Sequence, residues 1–190
     1  INMGWVSYCI TGKVDRKAEC DKIFSCEHLR IEKSRMVGST YYAAVRVIKR
    51  SIDMDGNHTL YEAIPEDEQK VFGYVILTTT RKNQWETEFA YKVNSECVGP
   101  CERRCPDSIL NLLTPTEDGY ALKWRKDCWE YNQKKKFLKN APLGTKIELS
   151  MNDDMVIFEK KCRGRKIYWL NKRLQYIPES SIPEYKFAVV

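Results

Sequence analysis

The chain has 190 residues, 43% of them hydrophobic, and a formal net charge of +6 at pH 7. This apolar content is too high for a disordered chain, and the length is sufficient for one domain with a substantial core. The apolar runs are far shorter than the roughly 20 residues that a membrane-spanning helix needs, so no membrane span is expected.

The cysteines predict a disulfide-stapled domain in an oxidising compartment, because their number is even and bridges persist only there. Asn57-His58-Thr59 is an N-glycosylation sequon with Asn57 as the acceptor, which favours the same location. We therefore expect a secreted or extracellular glycoprotein, with the disulfide pairing left open. The predicted disulfide cysteines are Cys9, Cys20, Cys26, Cys97, Cys101, Cys105, Cys128 and Cys162.

Metal binding is the competing interpretation of the three clustered cysteines between Cys97 and Cys105. The sequence has no Cys-x2-Cys pair, and neither histidine lies near the cluster. Structural zinc sites usually need such pairs. No metal and no cofactor are therefore expected.

In chain order, the first predicted element is a short helix that Asp15 caps and that runs toward Phe24. It lies in a cysteine-rich N-terminal cap, residues 1–38. Beyond this cap, β-branched and aromatic residues predict an antiparallel meander. Its four strands are residues 40–49, 58–64, 71–80 and 85–93.

The second half is predicted to continue as strands, with one short helical turn after Asp107. Residues 119–129 are predicted as a strand, and residues 130–140 as helical or irregular. Four short strands follow at residues 146–149, 155–158, 166–170 and 174–177. Pro178 and Pro183 indicate an extended tail over residues 178–190, with an edge strand at its end.

Together these elements predict a mainly β, disulfide-stapled fold, an antiparallel meander that forms a barrel or a sandwich with about two short helices. Residues 1–190 are predicted to form a single domain. Within it, residues 1–38 form the cap, residues 39–177 the β-rich body and residues 178–190 the tail.

No motif predicts an enzyme. The chain lacks the serine-hydrolase elbow, the zinc-protease helix motif, the Walker A loop and the Rossmann fingerprint, and it has only two histidines. A secreted hydrolase ranks third among the functions considered, because a fold can bring distant carboxylates together.

The charge distribution points to an acidic partner. Residues 121–176 contain 15 Lys and Arg against 6 Asp and Glu, so this segment carries +9 and the remainder −3. We expect a non-enzymatic binding protein that engages an extracellular protein or a sulfated glycan through a basic face. Nucleic acid is not expected, since no DNA- or RNA-reading motif is present. The predicted basic face consists of Arg125, Lys134, Lys135, Lys136, Lys160, Lys161, Arg163, Arg165 and Lys166.

The alternative function is a lipocalin-like carrier of a small hydrophobic ligand, in which aromatic side chains line a cavity. The chain resembles lipocalins in size and in its predicted secreted meander. It departs from their Gly-x-Trp motif, because Gly4 and Trp5 are adjacent. The candidate cavity or hot-spot aromatics are Tyr42, Tyr74, Trp85, Phe89, Trp124, Trp129 and Trp169.

Overall fold

The computed structural model describes residues 8–11, 15–53, 56, 59–81, 84–92 and 101–190. For residues 8–11, 53, 79–81, 84–92 and 101, it describes the backbone alone. The fold is mainly β, with 42% strand and 31% helix, as the sequence predicts. The chain divides into two compact units, Ile1–Cys128 and Trp129–Val190, called here the N-terminal and the C-terminal unit. The predicted domain boundaries stay a prediction.

The N-terminal unit is built on a five-stranded antiparallel sheet in the order β1-β7-β6-β3-β2, with β4 and β5 as a separate hairpin. Its strands are β1 (Tyr8–Thr11), β2 (Leu29–Val37), β3 (Thr40–Val47), β4 (Lys49–Asp53), β5 (Thr59–Ala63), β6 (Val71–Arg81) and β7 (Gln84–Lys92). Its helices are α1 (Arg16–Phe24), α2 (Asp107–Leu110), the first part of α3 (Gly119–Asn140) and the 3-10 turns Glu66–Glu68 and Cys101–Arg103.

The interior strand β3 is covered on both faces. Residues 40–45 are all buried, so the strand shows a continuous apolar run instead of an alternating pattern. Tyr42 and Ala44 pack in one cluster with Ile109 of α2 and Trp124 of α3. The intervening residues of β3 pack with α1, in a cluster of Cys20, Phe24, Tyr41, Ala43, Val45, Tyr74 and Ile76.

The predicted N-terminal helix is confirmed. The Asp15 side chain accepts hydrogen bonds from the backbone N–H groups of Lys17 and Ala18 at 3.0 and 3.2 Å, which satisfies two donors of the first turn. Phe24 at the other end lies 4.8 Å from Tyr74, measured between ring centroids. The cap and this aromatic contact together hold α1 on the sheet.

The C-terminal unit contains a second five-stranded antiparallel sheet, in the order β11-β10-β9-β8-β12. Leu138, in the second part of α3, packs against the buried face of this sheet. The predicted strands of this region are confirmed, including the edge strand at the C-terminus. They are β8 (Lys146–Met151), β9 (Asp154–Arg163), β10 (Lys166–Asn171), β11 (Tyr176–Ile177) and β12 (Phe187–Val189).

Three expectations about the arrangement of the elements need correction. Part of the predicted extended tail forms a 3-10 helix, Glu179–Glu184, with Ile182 and Pro183 buried. Neither five-stranded sheet closes into a barrel in the part of the chain described. Residues 119–129 form the start of the helix α3 and no strand. Helix formation follows from the spacing of Ala121, Trp124 and Cys128, which are all buried and recur as one face of a helix does. Asp118 caps this helix by accepting a hydrogen bond from Ala121 N–H at 2.8 Å.

The predicted disulfide framework is not supported by the described cysteines. Cys20 and Cys128 are buried thiols, and Cys26 and Cys162 are exposed thiols. Cys105 is buried in the same cluster as Cys128, and no disulfide forms in the described part of the chain. The side chains of Cys9, Cys97 and Cys101, as well as the glycan acceptor Asn57, lie outside the described residues.

Maleimide treatment of the native protein is expected to label Cys26 and Cys162 but neither Cys20 nor Cys128. Burial, reinforced by nearby acidic groups, raises the pKa of each of these two buried thiols to about 12. Maleimide reacts with the thiolate. At about pH 8 the two buried thiols are therefore unreactive, because they are protonated as well as shielded from the reagent. Peptide mass spectrometry locates the label, and a heavier maleimide added after unfolding marks the buried thiols. A described cysteine that takes neither label would contradict the free-thiol assignment.

Candidate functional site

Part of the predicted basic face comes together on the hairpin of β9 and β10. Lys161 lies opposite Tyr168, and Arg163 lies opposite Lys166. Because side chains alternate along a strand, these four residues share one face of the sheet. Gly164 and Arg165 form the connecting two-residue turn, and Gly164 has the positive φ of 61° that such a turn favours at its first position. We call Lys161, Arg163, Arg165 and Lys166 the basic hairpin.

The basic hairpin concentrates positive charge with little compensation. Directly opposed like charges such as Arg163 and Lys166 destabilise a strand pair. Lys161 pairs with Glu159, and this hydrogen bond lowers the pKa of the Glu159 carboxyl, with a smaller contribution from Lys146. In the described part of the chain, Arg163, Arg165 and Lys166 form no ion pair. The like charges of the basic hairpin are therefore a locally unfavourable arrangement that the fold tolerates.

Apolar side chains continue the same face away from the hairpin turn. Met155 is 57% and Tyr176 is 74% exposed, and Ile157 and Leu170 lie between them on neighbouring strands. This face is the opposite one from the buried face that carries Leu149, Phe158 and Trp169. We call Met155, Ile157, Tyr168, Leu170 and Tyr176 the outer apolar face.

Lys160 does not belong to the basic hairpin, because its side chain is only 2% exposed. Its ammonium group donates hydrogen bonds to the carbonyls of Leu138, Lys139 and Ala141 at the end of α3. It also pairs with Glu179 at 3.4 Å and lies 5.8 Å from the centroid of the Trp169 ring. Lys160 therefore satisfies the C-terminal carbonyls of the helix, which is a structural role.

The predicted lysines of α3 lie in a different layer from the basic hairpin. Leu138 packs α3 onto the buried face of the sheet, whereas the hairpin charges lie on the other face. Lys134 donates a hydrogen bond to the Tyr185 carbonyl at 3.3 Å, and Lys135 and Lys136 are exposed. The predicted single basic face is thus divided between two layers of the C-terminal unit.

The remaining predicted site residues are distributed over both units. Arg125 is half-buried in the N-terminal unit, where it borders a cavity. Trp129 is exposed, and Trp85 and Phe89 lie on β7 with side chains outside the description. The other aromatic candidates are core residues, namely Tyr42, Tyr74, Trp124 and Trp169.

Sequence reasoning missed the outer apolar face. Along β9, apolar residues occupy both faces, so no alternation distinguishes Met155 and Ile157 from the partly buried Val156 and the buried Phe158. The Gly164-Arg165 turn was the available signal, because a two-residue turn fixes which side chains oppose each other.

Comparison with known proteins adds no relative: no family model, no curated protein and no solved structure matches this chain. None of the helices in the described ranges is both long and apolar enough to cross a bilayer. Within those same ranges, no three His, Cys, Asp or Glu side chains are grouped in a way that could hold a metal ion.

Proposed function

We propose that this chain is a non-enzymatic binding protein whose basic hairpin and outer apolar face together engage an acidic segment of a protein partner. The observation that carries the proposal is the local charge of the hairpin. Four cationic residues lie within residues 161–166, and Glu159 is the acidic residue paired with one of them. Such a surface attracts an acidic partner through a summed field that salt weakens.

A protein partner is favoured over a sulfated glycan because of the adjoining apolar side chains. Protein-binding surfaces combine arginine with exposed aromatic and aliphatic residues, and their buried centres are apolar. Tyr168 lies opposite Lys161 on the same face, and Ile157 lies further along β9, with Glu159 between it and Lys161. A glycan would use the charges and leave most of the outer apolar face in water.

The proposal is tested with a fluorescently labelled peptide that has a glutamate-rich half and a Leu/Tyr-rich half. We expect Arg163→Glu/Arg165→Glu to weaken its binding roughly tenfold or more at about 0.15 M salt, because two attractive charges become repulsive. Fluorescence anisotropy measures the affinity. The matched control is Lys135→Glu/Lys136→Glu, which changes the net charge equally on α3 and is expected to alter binding less than about twofold.

A heparin oligosaccharide and the variant Ile157→Thr separate the two classes of partner. Ile157→Thr is expected to weaken the peptide and to leave heparin binding unchanged, since threonine keeps the strand but removes apolar contact. Equal losses in the two charge-reversal variants would overturn the hairpin as the site. Tighter binding of heparin than of the peptide, insensitive to Ile157→Thr, would transfer the assignment to a sulfated glycan.

We also propose a secreted or extracellular location, supported by the Asn57 sequon and the eight cysteines of the sequence. The exposed thiols of Cys26 and Cys162 make this proposal directly testable. The maleimide mapping, repeated on protein from a secretory host, reports which cysteines form disulfides. The intact mass of the same protein reports whether Asn57 carries a glycan. An unglycosylated Asn57 with all mapped thiols reduced would count against this location.

A further inference from the structure

A cavity of about 490 Å³ lies in the N-terminal unit, between β6, the loop before α3 and the first turns of α3. Two small residues line this space. Gly73 lies on the β6 face between Val71 and Val75, which pack toward α3, and it contributes no side chain there. Ala121 lies on the helix side of the same cavity. A glycine inside a strand often marks a place where a ligand approaches the backbone closely.

Arg125 occupies a position on α3 where the helix pattern calls for an apolar residue. Ala121, Trp124 and Cys128 are buried on the inward face, and position 125 completes the i, i+3, i+4, i+7 stripe. A guanidinium group on such a stripe loses hydration. Burial accordingly lowers the pKa of Arg125.

No group in the described ranges pairs with this guanidinium. In the described part of the chain, Arg125 forms neither a hydrogen bond nor an ion pair. Partly buried charges are normally paired, and an unpaired one that borders a cavity is a candidate for ligand binding. The planar guanidinium, with its fork of N–H donors, is therefore available to a ligand in the cavity that Arg125 lines.

We propose that this cavity binds a small organic molecule with one carboxylate group and an apolar body, and that Arg125 pairs with the carboxylate. Arginine matches a carboxylate with two parallel hydrogen bonds. Leu113 and Pro115 supply apolar lining, and the volume is in the usual range for small-molecule sites.

The charge of the lining favours a monoanion over a dianion. Lys70 and Arg125 contribute two positive charges, and Glu117 and Asp118 contribute two negative ones. A ligand with one negative charge can pair with Arg125, whereas the second charge of a phosphate monoester would face the acidic residues. The site lies within the N-terminal unit and does not depend on the function proposed for the basic hairpin.

The test uses three probes of similar size: 4-phenylbutyrate, its uncharged amide and phenyl phosphate. Calorimetry measures affinity, and amide shifts of Gly73, Thr114 and Ala121 in NMR spectra locate the bound probe. We expect the carboxylate to bind roughly tenfold or more tightly than the amide, a difference that Arg125→Met abolishes. The matched control Lys126→Gln removes one charge from the neighbouring exposed position and is expected to retain binding.

Thermal unfolding of Arg125→Met distinguishes a binding role from a structural one. If Arg125 serves a ligand, methionine fits the apolar stripe and the melting temperature of the unliganded protein stays the same or rises. A marked fall in melting temperature would overturn the proposal. So would equal affinities for carboxylate and amide, unchanged binding in Arg125→Met, tighter binding of phenyl phosphate than of the carboxylate, or binding of none of the three probes.

Discussion

Lys160→Met is expected to lower the free energy of unfolding by about 3–5 kcal/mol, the usual cost of removing one partner of a buried charged pair. The substitution leaves the carbonyls of Leu138, Lys139 and Ala141 without their shared donor. It also leaves the Glu179 carboxylate with the Trp169 indole N–H, at 3.2 Å, as its remaining partner in this network. Urea unfolding followed by circular dichroism measures the effect.

Lys161→Met is the matched control, because Lys161 is the next residue of β9 and its ion pair with Glu159 is solvent-exposed. It is expected to change stability by less than about 1 kcal/mol. The double variant Lys160→Met/Glu179→Gln should recover part of the loss, since it removes the unpaired carboxylate as well. A loss below about 1 kcal/mol in Lys160→Met would show that the buried ammonium is not needed to end α3.

Lys160 has to stay intact in any test of the basic hairpin. Lys160 belongs to the sequence run Lys160-Lys161-x-Arg163, so a charge-reversal variant chosen from the sequence would include it. Such a variant would lose stability together with surface charge, and reduced binding would then reflect both effects. The hairpin test therefore uses Arg163 and Arg165 and leaves Lys160 intact.

Trp124→Ala is expected to cost about 3–5 kcal/mol, as large-to-small substitutions of buried aromatic residues do. Trp124 is 2% exposed and packs with Tyr42, Val75 and Ile109 in the core of the N-terminal unit. Its indole N–H donates a hydrogen bond to the Glu102 carbonyl at 2.7 Å, which the substitution also removes. Urea unfolding measures the loss, and hydrogen exchange localises it to residues 1–128.

Trp129→Ala serves as the control of the same residue type on the same helix. Trp129 is 55% exposed, so its replacement is expected to change stability by about 0.5 kcal/mol or less. Similar losses in the two variants would contradict the helical register of α3, because this register places Trp124 inward and Trp129 outward.

Much of the strand content was predictable because it depends on local pattern. The runs around β3 and β6 are rich in β-branched and aromatic residues, and the chain between Lys146 and Ile177 has short apolar runs separated by turn residues. Asp15 identified the start of α1, because an aspartate side chain stabilises a helix when it lies at the N-cap position. These signals concern neighbours in sequence, and the structure agrees with them.

Among the elements that sequence reasoning misses, β2 and the first half of α3 are missed for opposite reasons. The sequence pattern assigns β2 to the N-terminal cap, because Arg30, Glu32, Lys33 and Arg35 mask its strand pattern. It is an edge strand, where charges are tolerated and limit unwanted pairing. The first half of α3 is predicted as a strand because aromatic residues favour strands, but burial at helical spacing outweighs that intrinsic preference.

By itself, the sequence determined the mainly β class, most strand positions and the local excess of positive charge in residues 121–176. Only the tertiary structure decided which of those charged side chains lie on the same face of a sheet. Lys160 and Lys161 are neighbours in sequence, yet alternation along β9 places one against the end of α3 and the other on the outer face. Arg125 belongs to the other compact unit and borders a cavity that Gly73 helps to form, 52 positions earlier in the chain. Charge is a property of composition, but solvation, pairing and shared faces depend on which distant segments pack together.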